Sequence, residues 1–291
     1  MKRLLPLLLL LSITFAVNAQ QKKKKPGGIA SKPSQQSKFL EKQFWLGFKA
    51  GTNLSEASPI KRYTVTTPTN YAQALNDKVY DSFSKTGSQA TLEATFYYKG
   101  FSFSVQPTYR HSRFAYSNKF QWSNPDNSAE QLILNYHQEQ KVDYADFPLI
   151  VKYDILRNKI RPYVQAGVFY SLLINATKSV KISGTDFASG GTNQFANQAI
   201  IVGAKDLFDN YWGLMAGAGM DYNLGNVRVV LDVSYWKSMS NISNAANRFS
   251  NDRLAGIGDA QDDLDLNNIV ISAGVLFPMR FLSNSFKTLD R

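Results

Sequence analysis

The 291-residue chain contains no cysteine. That absence excludes a disulfide framework, a thiolate zinc site and a lipid-modified cysteine anchor, so any anchoring must come from the fold. After residue 19 no apolar run approaches the ~20 residues that a helix needs to cross a bilayer. If the chain enters a membrane, it enters as strands. No glycine-rich loop precedes a helical pattern, which removes the usual phosphate cradle. A mean hydropathy of −0.28 with 44% hydrophobic residues reads as a soluble chain. Strict alternation, however, averages an oily face against a polar one and conceals a strand-built membrane signal.

What is present begins at the N-terminus. Met1-Lys2-Arg3, the apolar stretch Leu4 to Ala16 and the closing Val17-Asn18-Ala19 make a secretory leader over residues 1–19, cleaved after Ala19. Of the formal net charge of +11, Lys2 and Arg3 leave with the leader, and residues 20–43 hold seven lysines against Glu41. The body of the chain keeps only a small positive surplus. The stretch "QKKKKPGGIASKPSQQSK" is rich in Lys, Gly, Ser, Gln and Pro, cannot bury apolar surface, and reads as a disordered basic tail in the periplasm. Lys22, Lys23, Lys24 and Lys25 are its candidate partner-binding residues, toward an anionic headgroup or an acidic protein surface. A solvated spacer is the plainer reading, and nucleic acid is not an expected partner of an exported chain.

From residue 44 onward the chain alternates with period two. In "YYKGFSFSVQPTYR", Phe101, Phe103, Val105, Pro107 and Tyr109 occupy one parity, while Ser102, Ser104, Gln106, Thr108 and Arg110 occupy the other. The same pattern recurs in "FWLGFKAGTNLS", "SQATLEATFYYK", "DYADFPLIVKYDI", "RPYVQAGVFYSLL", "YWGLMAGAGMDY", "VRVVLDVSYWK" and "NNIVISAGVLF". This gives eight strands, each with one oily parity. Links at 99–100, 156–160 and 223–226 are short, whereas those at 56–87, 112–142, 176–210 and 240–266 are long and rich in Asn, Ser, Gly and Asp. With the mature N-terminus periplasmic, every long loop falls outside and every short turn inside.

Two regularities separate lipid-facing strands from a soluble sandwich. On the oily parity, aromatics sit at strand ends: Phe44, Tyr98, Phe101, Tyr153, Tyr222 and Phe277 beside short turns, and Tyr109, Tyr170, Trp212 and Tyr235 beside long loops. That is a double aromatic girdle. The other parity carries charges of both signs, Lys49, Glu93, Arg110, Asp146, Lys152, Asp221, Arg228 and Asp232. A closed barrel pairs these in its lumen, since unpaired charges there are costly. The pattern predicts an all-β fold over residues 44–277, an eight-stranded antiparallel up-and-down transmembrane β-barrel, with residues 278–291 as a periplasmic extension.

Candidates for chemistry are few. Gly167, Gly213, Gly217, Gly219 and Gly274 on the inward parity either open room for a ligand or let strands bend around a tight barrel. His111 beside Ser112, and His137 near Glu139 and Asp143, lie at the outer rim, where imidazole could exchange a proton. Solvated loop histidines are the ordinary alternative. Asp259, Asp262, Asp263 and Asp265 in "GDAQDDLDLNN" suggest calcium superficially but lack the glycine and terminal glutamate of a helix–loop–helix site, and read as a solvated acidic loop. Neither a metal nor a cofactor is expected. Arg157, Lys159 and Arg161 in "KYDILRNKIRPY" read as a turn that meets inner-leaflet headgroups.

Taken in order, "WLGFKAGTNLS", "DFPLIVKYDI", "RPYVQAGVFYSLL", "WGLMAGAGMDYNLGNVRVVLDVSY" and "ISAGVLF" resemble the PorT-like family of outer-membrane β-barrels, abundant in Bacteroidetes. The resemblance spans about residues 44 to 277. It implies an eight-stranded barrel in the outer membrane, and some members take part in type IX secretion and gliding. The basic tail, the long first and third loops and the extension after Phe277 depart from it. The resulting expectation is a non-enzymatic accessory or anchoring component of an envelope complex. Its partners would be outer-membrane lipid, lipopolysaccharide and a periplasmic or outer-membrane protein. A surface-binding or adhesin barrel acting through its long loops is the alternative, followed by an outer-rim hydrolase or acyltransferase.

Overall fold

A computed structural model describes residues 42–65, 78–156, 158–188, 192–224 and 227–279, without the side chains of 42 and 195–198. The leader, the Lys22–Lys25 tail, Arg157 and residues 280–291 lie outside the described residues. The strands are β1 (Lys42–Lys61), β2 (Val79–Tyr80), β3 (Lys85–Tyr98), β4 (Phe101–Val105), β5 (Thr108–Ser123), β6 (Gln131–Asp154), β7 (Ile160–Asp186), β8 (Asn193–Gly203), β9 (Tyr211–Asn223), β10 (Arg228–Ser238) and β11 (Asp263–Pro278). A single helical turn, α1 (Asp252–Ala255), interrupts the last connection. Among the described residues the eleven strands form one sheet.

The pairing is antiparallel throughout and returns to its start. β1 pairs with β3 on one side and β11 on the other. From β3 the ladder passes through β4 and β5 to β6, then β7, β9, β10 and back to β11. Every strand of the circuit is thus hydrogen-bonded to a neighbour on both flanks, although beyond His111 one flank of β5 meets only the short β2, which leaves few of the open edges that make isolated sheets aggregate.

Local sequence explains the joints. Lys99 and Gly100 both adopt positive φ, 49° and 97°, the geometry of the tight hairpin turn whose twist matches its flanking strands. The stretch read as one strand through Pro107 is split into β4 and β5, because proline has no N–H to give the ladder. The ladder still bridges the gap, with Leu92 N–H donating to the Pro107 carbonyl at 2.9 Å and Gln106 N–H to the Pro148 carbonyl at 3.2 Å.

Two of the four connections read as long loops, 112–142 and 176–210, are largely strand. β5 and β6 continue as a hairpin to the Ser123↔Gln131 pair, β6 and β7 continue to Leu132↔Asp186, and β8 adds a further partner to the upper half of β7. Their polar composition made these segments look irregular, yet alternation persists in them, with Phe114, Tyr116, Tyr136 and Gln138 buried. A bulge near Ile174, where Asp143 opposes Asn175 but Tyr144 opposes Leu173, shifts β7 by one residue. Even-numbered positions face out below it and in above it, so Ala176, Lys178 and Val180 are buried.

Burial is inverted relative to a water-soluble domain. Phe44 is 62% exposed and Leu92 64%, whereas Glu93, Arg110 and Asp146 are 0% exposed. The oily parity of β1, β3, β4, β6, β7, β9, β10 and β11 thus forms a continuous exposed apolar surface, far beyond the few hundred Å² that soluble monomers tolerate.

Candidate functional site

The buried parities stack into tiers. In the lowest, Arg228 donates to Asp221 at 3.1 Å and to Asn223 at 2.9 Å, and its guanidinium lies 4.2 Å from the centre of the Trp45 ring. Arg161 joins this tier: it is buried, pairs with Asp154 at 3.5 Å and lies over Tyr97. Its reading as a headgroup contact is therefore corrected, since Arg161 shares the inward parity of Tyr163. Lys159, by contrast, places its ammonium 5.2 Å from the Tyr222 ring.

In the next tier the Glu93 carboxylate lies between two ammonium groups, Lys152 at 2.6 Å and Lys49 at 3.1 Å. Lys49 also reaches Asp232 at 3.0 Å and Gln106 at 2.8 Å, while Thr95 and Ser272 donate to Glu93 and Asp232. Above them Arg110 pairs with Asp146 at 2.8 Å, Ser171 donates to the same carboxylate at 2.6 Å, and Tyr211 accepts from Arg110. Phe169, Trp236 and Tyr144 close around this group, with the guanidinium 5.2 Å from the Trp236 ring. All eight charges expected to face inward lie in these tiers, each ion-paired with another of the eight.

Little space remains. The interior void bordered by Lys49, Gln106, Gln165, Asp232 and Trp236 is about 10 Å³, room for at most one water. The inward glycines serve packing rather than a ligand. A Cβ on Gly219 would strike the Tyr163 hydroxyl, one on Gly213 the Phe169 ring, and one on Gly274 the Lys49 stem. Gly219→Ala, which in an unobstructed strand would gain about 0.5–1 kcal/mol, is here expected to lose about 1–3 kcal/mol through overpacking. Urea unfolding in detergent micelles measures the sign.

A fourth tier seals the end of the circuit opposite the short turns. Asp259, read as solvated, is 3% exposed and Asp262 1%. The connection between β10 and β11 folds back over the opening: Lys178 pairs with Asp259, and Lys78 pairs with Asp259 at 3.3 Å and Asp262 at 2.9 Å. Tyr80 donates to Asp262 at 2.7 Å, and Tyr116 reaches Asp259 at 3.2 Å. The acidic spacing gave no hint of this, because the partner lysines lie far away in sequence. Arg248 stacks 3.4 Å from the centre of the Tyr63 ring and donates to Asp263 at 2.7 Å.

Burial alone would raise the Asp259 carboxyl, but Lys178 and Lys78 outweigh it and hold it down, from 3.8 to about 2. A carboxylate depressed in the folded state stabilises fully above its unfolded value and loses that contribution as pH falls through the folded one. Cleavage of the 240–262 segment by an acid-tolerant protease is expected to stay constant from neutral pH to about 4, and to rise as pH falls further toward about 2.

The outer-rim histidines do not meet. His111 accepts or donates through Nδ1 to Asp143 at 2.6 Å, and Tyr109 donates to the same carboxylate at 3.0 Å. His137 sits opposite Ser117, six positions further up β5, about 20 Å away. Ser112 points through the opposite face of the sheet and donates to Asn268 at 3.2 Å, so sequence adjacency to His111 places the hydroxyl away from the imidazole. Among the described residues no three His, Cys, Asp or Glu side chains converge as a metal site.

On the outer parity Phe44, Tyr98, Phe101, Tyr109, Tyr153, Tyr170, Trp212, Tyr235 and Phe277 are exposed, and Tyr222 is half-buried. An apolar groove of about 440 Å³ between Phe44, Leu46, Ala94, Phe96, Phe103 and Met279 is nearly devoid of polar surface and has nothing to orient a reacting group.

A closed antiparallel circuit with oil outside and ion pairs inside defines the class of β proteins built for lipid. The family follows: a family model described as an outer membrane protein beta-barrel domain matches residues 18–244, and the chain belongs to that family. Its setting is the Gram-negative outer membrane. Comparison with curated proteins yields no match. Among solved structures it is similar to Neisserial surface protein A (12% identity, 80% of this chain and 96% of that one, TM-score 0.34). It is similar also to OprG from Pseudomonas aeruginosa (13%, 81% and 95%, TM-score 0.35). A third similarity is to Ail, the attachment invasion locus protein of Yersinia pestis (12%, 81% and 99%, TM-score 0.30).

Proposed function

We propose that the circuit is an eight-stranded up-and-down transmembrane barrel, with β4 and β5 counted as one interrupted strand and β2 and β8 as additions above the membrane. The short turns face the periplasm and the extended hairpins face outward. On this reading the protein is a closed, non-enzymatic anchor whose working surface is the rigid sheet it raises above the membrane.

One observation carries the proposal. β6 and β7 run for 24 and 27 residues, whereas a tilted strand needs ~9–11 to span the hydrocarbon. The excess is ordered antiparallel sheet rather than loose loop, and an ordered surface outside the bilayer suits engagement of a protein partner. The filled tiers below argue against conduction, and purified protein in planar bilayers is expected to give no ion current above background.

The narrower reading places this anchor in an envelope complex of the type IX secretion kind, with Lys22 to Lys25 touching a periplasmic partner. It rests on the PorT-like resemblance. The alternative, an adhesin-like surface binder, draws on the same outer sheet. Affinity purification in gentle detergent separates them. Deleting residues 20–43 is expected to release the partner under the secretion reading. Replacing residues 117–136 by a short turn releases it if the outer sheet does the binding. A barrel emerging alone from both the intact protein and its membranes counts against either.

A further inference from the structure

The outward face of β5 and β6 changes character just above the girdle. Arg113 is four residues beyond Tyr109, and its cross-strand partner in register is Lys141. Four residues of strand are about 13 Å, or ~10 Å along the membrane normal at the usual barrel tilt. That height is the headgroup layer, which begins where the ~30 Å hydrocarbon core ends.

One cation there, among the described residues, is left without an ion pair. Arg113 donates to Glu139 through Nε at 2.9 Å and Nη2 at 2.7 Å. Burial pushes the Glu139 carboxyl up, but the Arg113 hydrogen bonds and the charges of Arg113, Lys141 and Lys85 together pull it below its ordinary value. Arg113 and Lys141 thus share this face with Glu139 and with Asp143, whose carboxylate is taken up by Tyr109 and His111. Lys141 is exposed and, among the described residues, makes no ion pair within 4 Å. Further up the same face Lys181 on β7 and Lys119 on β5 are likewise exposed.

We propose that Arg113 and Lys141 form a binding site for a phosphorylated lipid headgroup of the outer leaflet. Arg113 is already oriented by Glu139, so that its remaining N–H groups and the free Lys141 ammonium can grip phosphate oxygens from two adjacent strands. A membrane-borne phosphate rather than a dissolved one fits because the site stands at headgroup height directly over Tyr109, where an acyl chain running down the apolar parity adds contact area to the ionic grip. The inference rests on the reading that the exposed parity faces lipid.

The test is titration of the full mature protein in phosphatidylcholine nanodiscs with diphosphoryl lipid A, followed by native mass spectrometry. Wild type is expected to retain the glycolipid, with affinity falling as salt rises. The double variant R113Q/K141Q should bind roughly tenfold more weakly, and K237Q on the opposite side should bind as wild type does. Equal retention by the double variant overturns the proposal. So does inorganic phosphate that, at matched phosphate concentration, occupies the site as well as the glycolipid does, since the site would then take a free anion. Folding of each variant is checked by heat-modifiable mobility on gels. If R113Q fails to fold, K141Q, which removes no ion pair, carries the test alone with the same two outcomes. Failure of the lipid-facing reading would look different: the protein would be a folded monomer without detergent.

Discussion

Glu93→Ala is expected to cost about 3–5 kcal/mol, the penalty for stranding a buried charge. The substitution removes the carboxylate held between Lys152 and Lys49. Lys49 keeps Asp232, but Lys152 loses the carboxylate it pairs with, in a tier whose void of about 10 Å³ holds at most one water. Urea unfolding in micelles, followed by tryptophan fluorescence, should show the midpoint shift. Adding Lys152→Met to the same chain should recover most of the loss, because an apolar side chain of similar length needs no counter-charge. A loss below about 1 kcal/mol for the single variant, with no recovery in the double, would mean that water reaches this tier and that the ion pairs do not hold it together.

The second large effect concerns the other face. Leu149 is 57% exposed and lies midway along the outward run from Tyr153 to Ala145, with Val168 opposite it on β7. Leu149→Arg is expected to destabilise the protein by about 2–4 kcal/mol in phospholipid bilayers, the cost of a cation near the midplane. Lys141→Arg, on the same strand but above the girdle, should be within ±0.5 kcal/mol of wild type. The contrast between the two is the measurement. If both are neutral, the exposed parity is not immersed in hydrocarbon.

The strands and their facing were legible because period two is a local property. Phe101 and Phe103 on one parity, with Ser102 and Ser104 on the other, say which side is oily without knowledge of any neighbour. The tight turn at Lys99-Gly100 was equally local. What escaped was set by distant residues. Asp259 looked solvated because Lys78 and Lys178, which bury it, are far away in the chain. Arg161 was assigned to the headgroups because it follows a short turn, although its parity with Tyr163 already placed it inside. The bulge near Ile174 left no mark in composition, and it alone decides that Lys178 faces the interior. The long extensions of β5, β6 and β7 were taken for loops because strands exposed to water are as polar as loops. Their alternation, Phe114 and Tyr116 against Arg113 and Ser117, was readable but outweighed by their Asn and Ser content.

The partners inside the circuit come from opposite ends of the chain: Lys49 and Asp232 are separated by 183 positions. While the chain is still threading toward its destination, these groups have no counter-charge and remain wedded to water. A half-assembled chain is thereby held back from burying itself in oil strand by strand, and commitment waits until first and last hairpins find one another. Such late, long-range matching is kinetically slow, so the greasy stripes of the waiting chain stay open to water until the ring can snap shut.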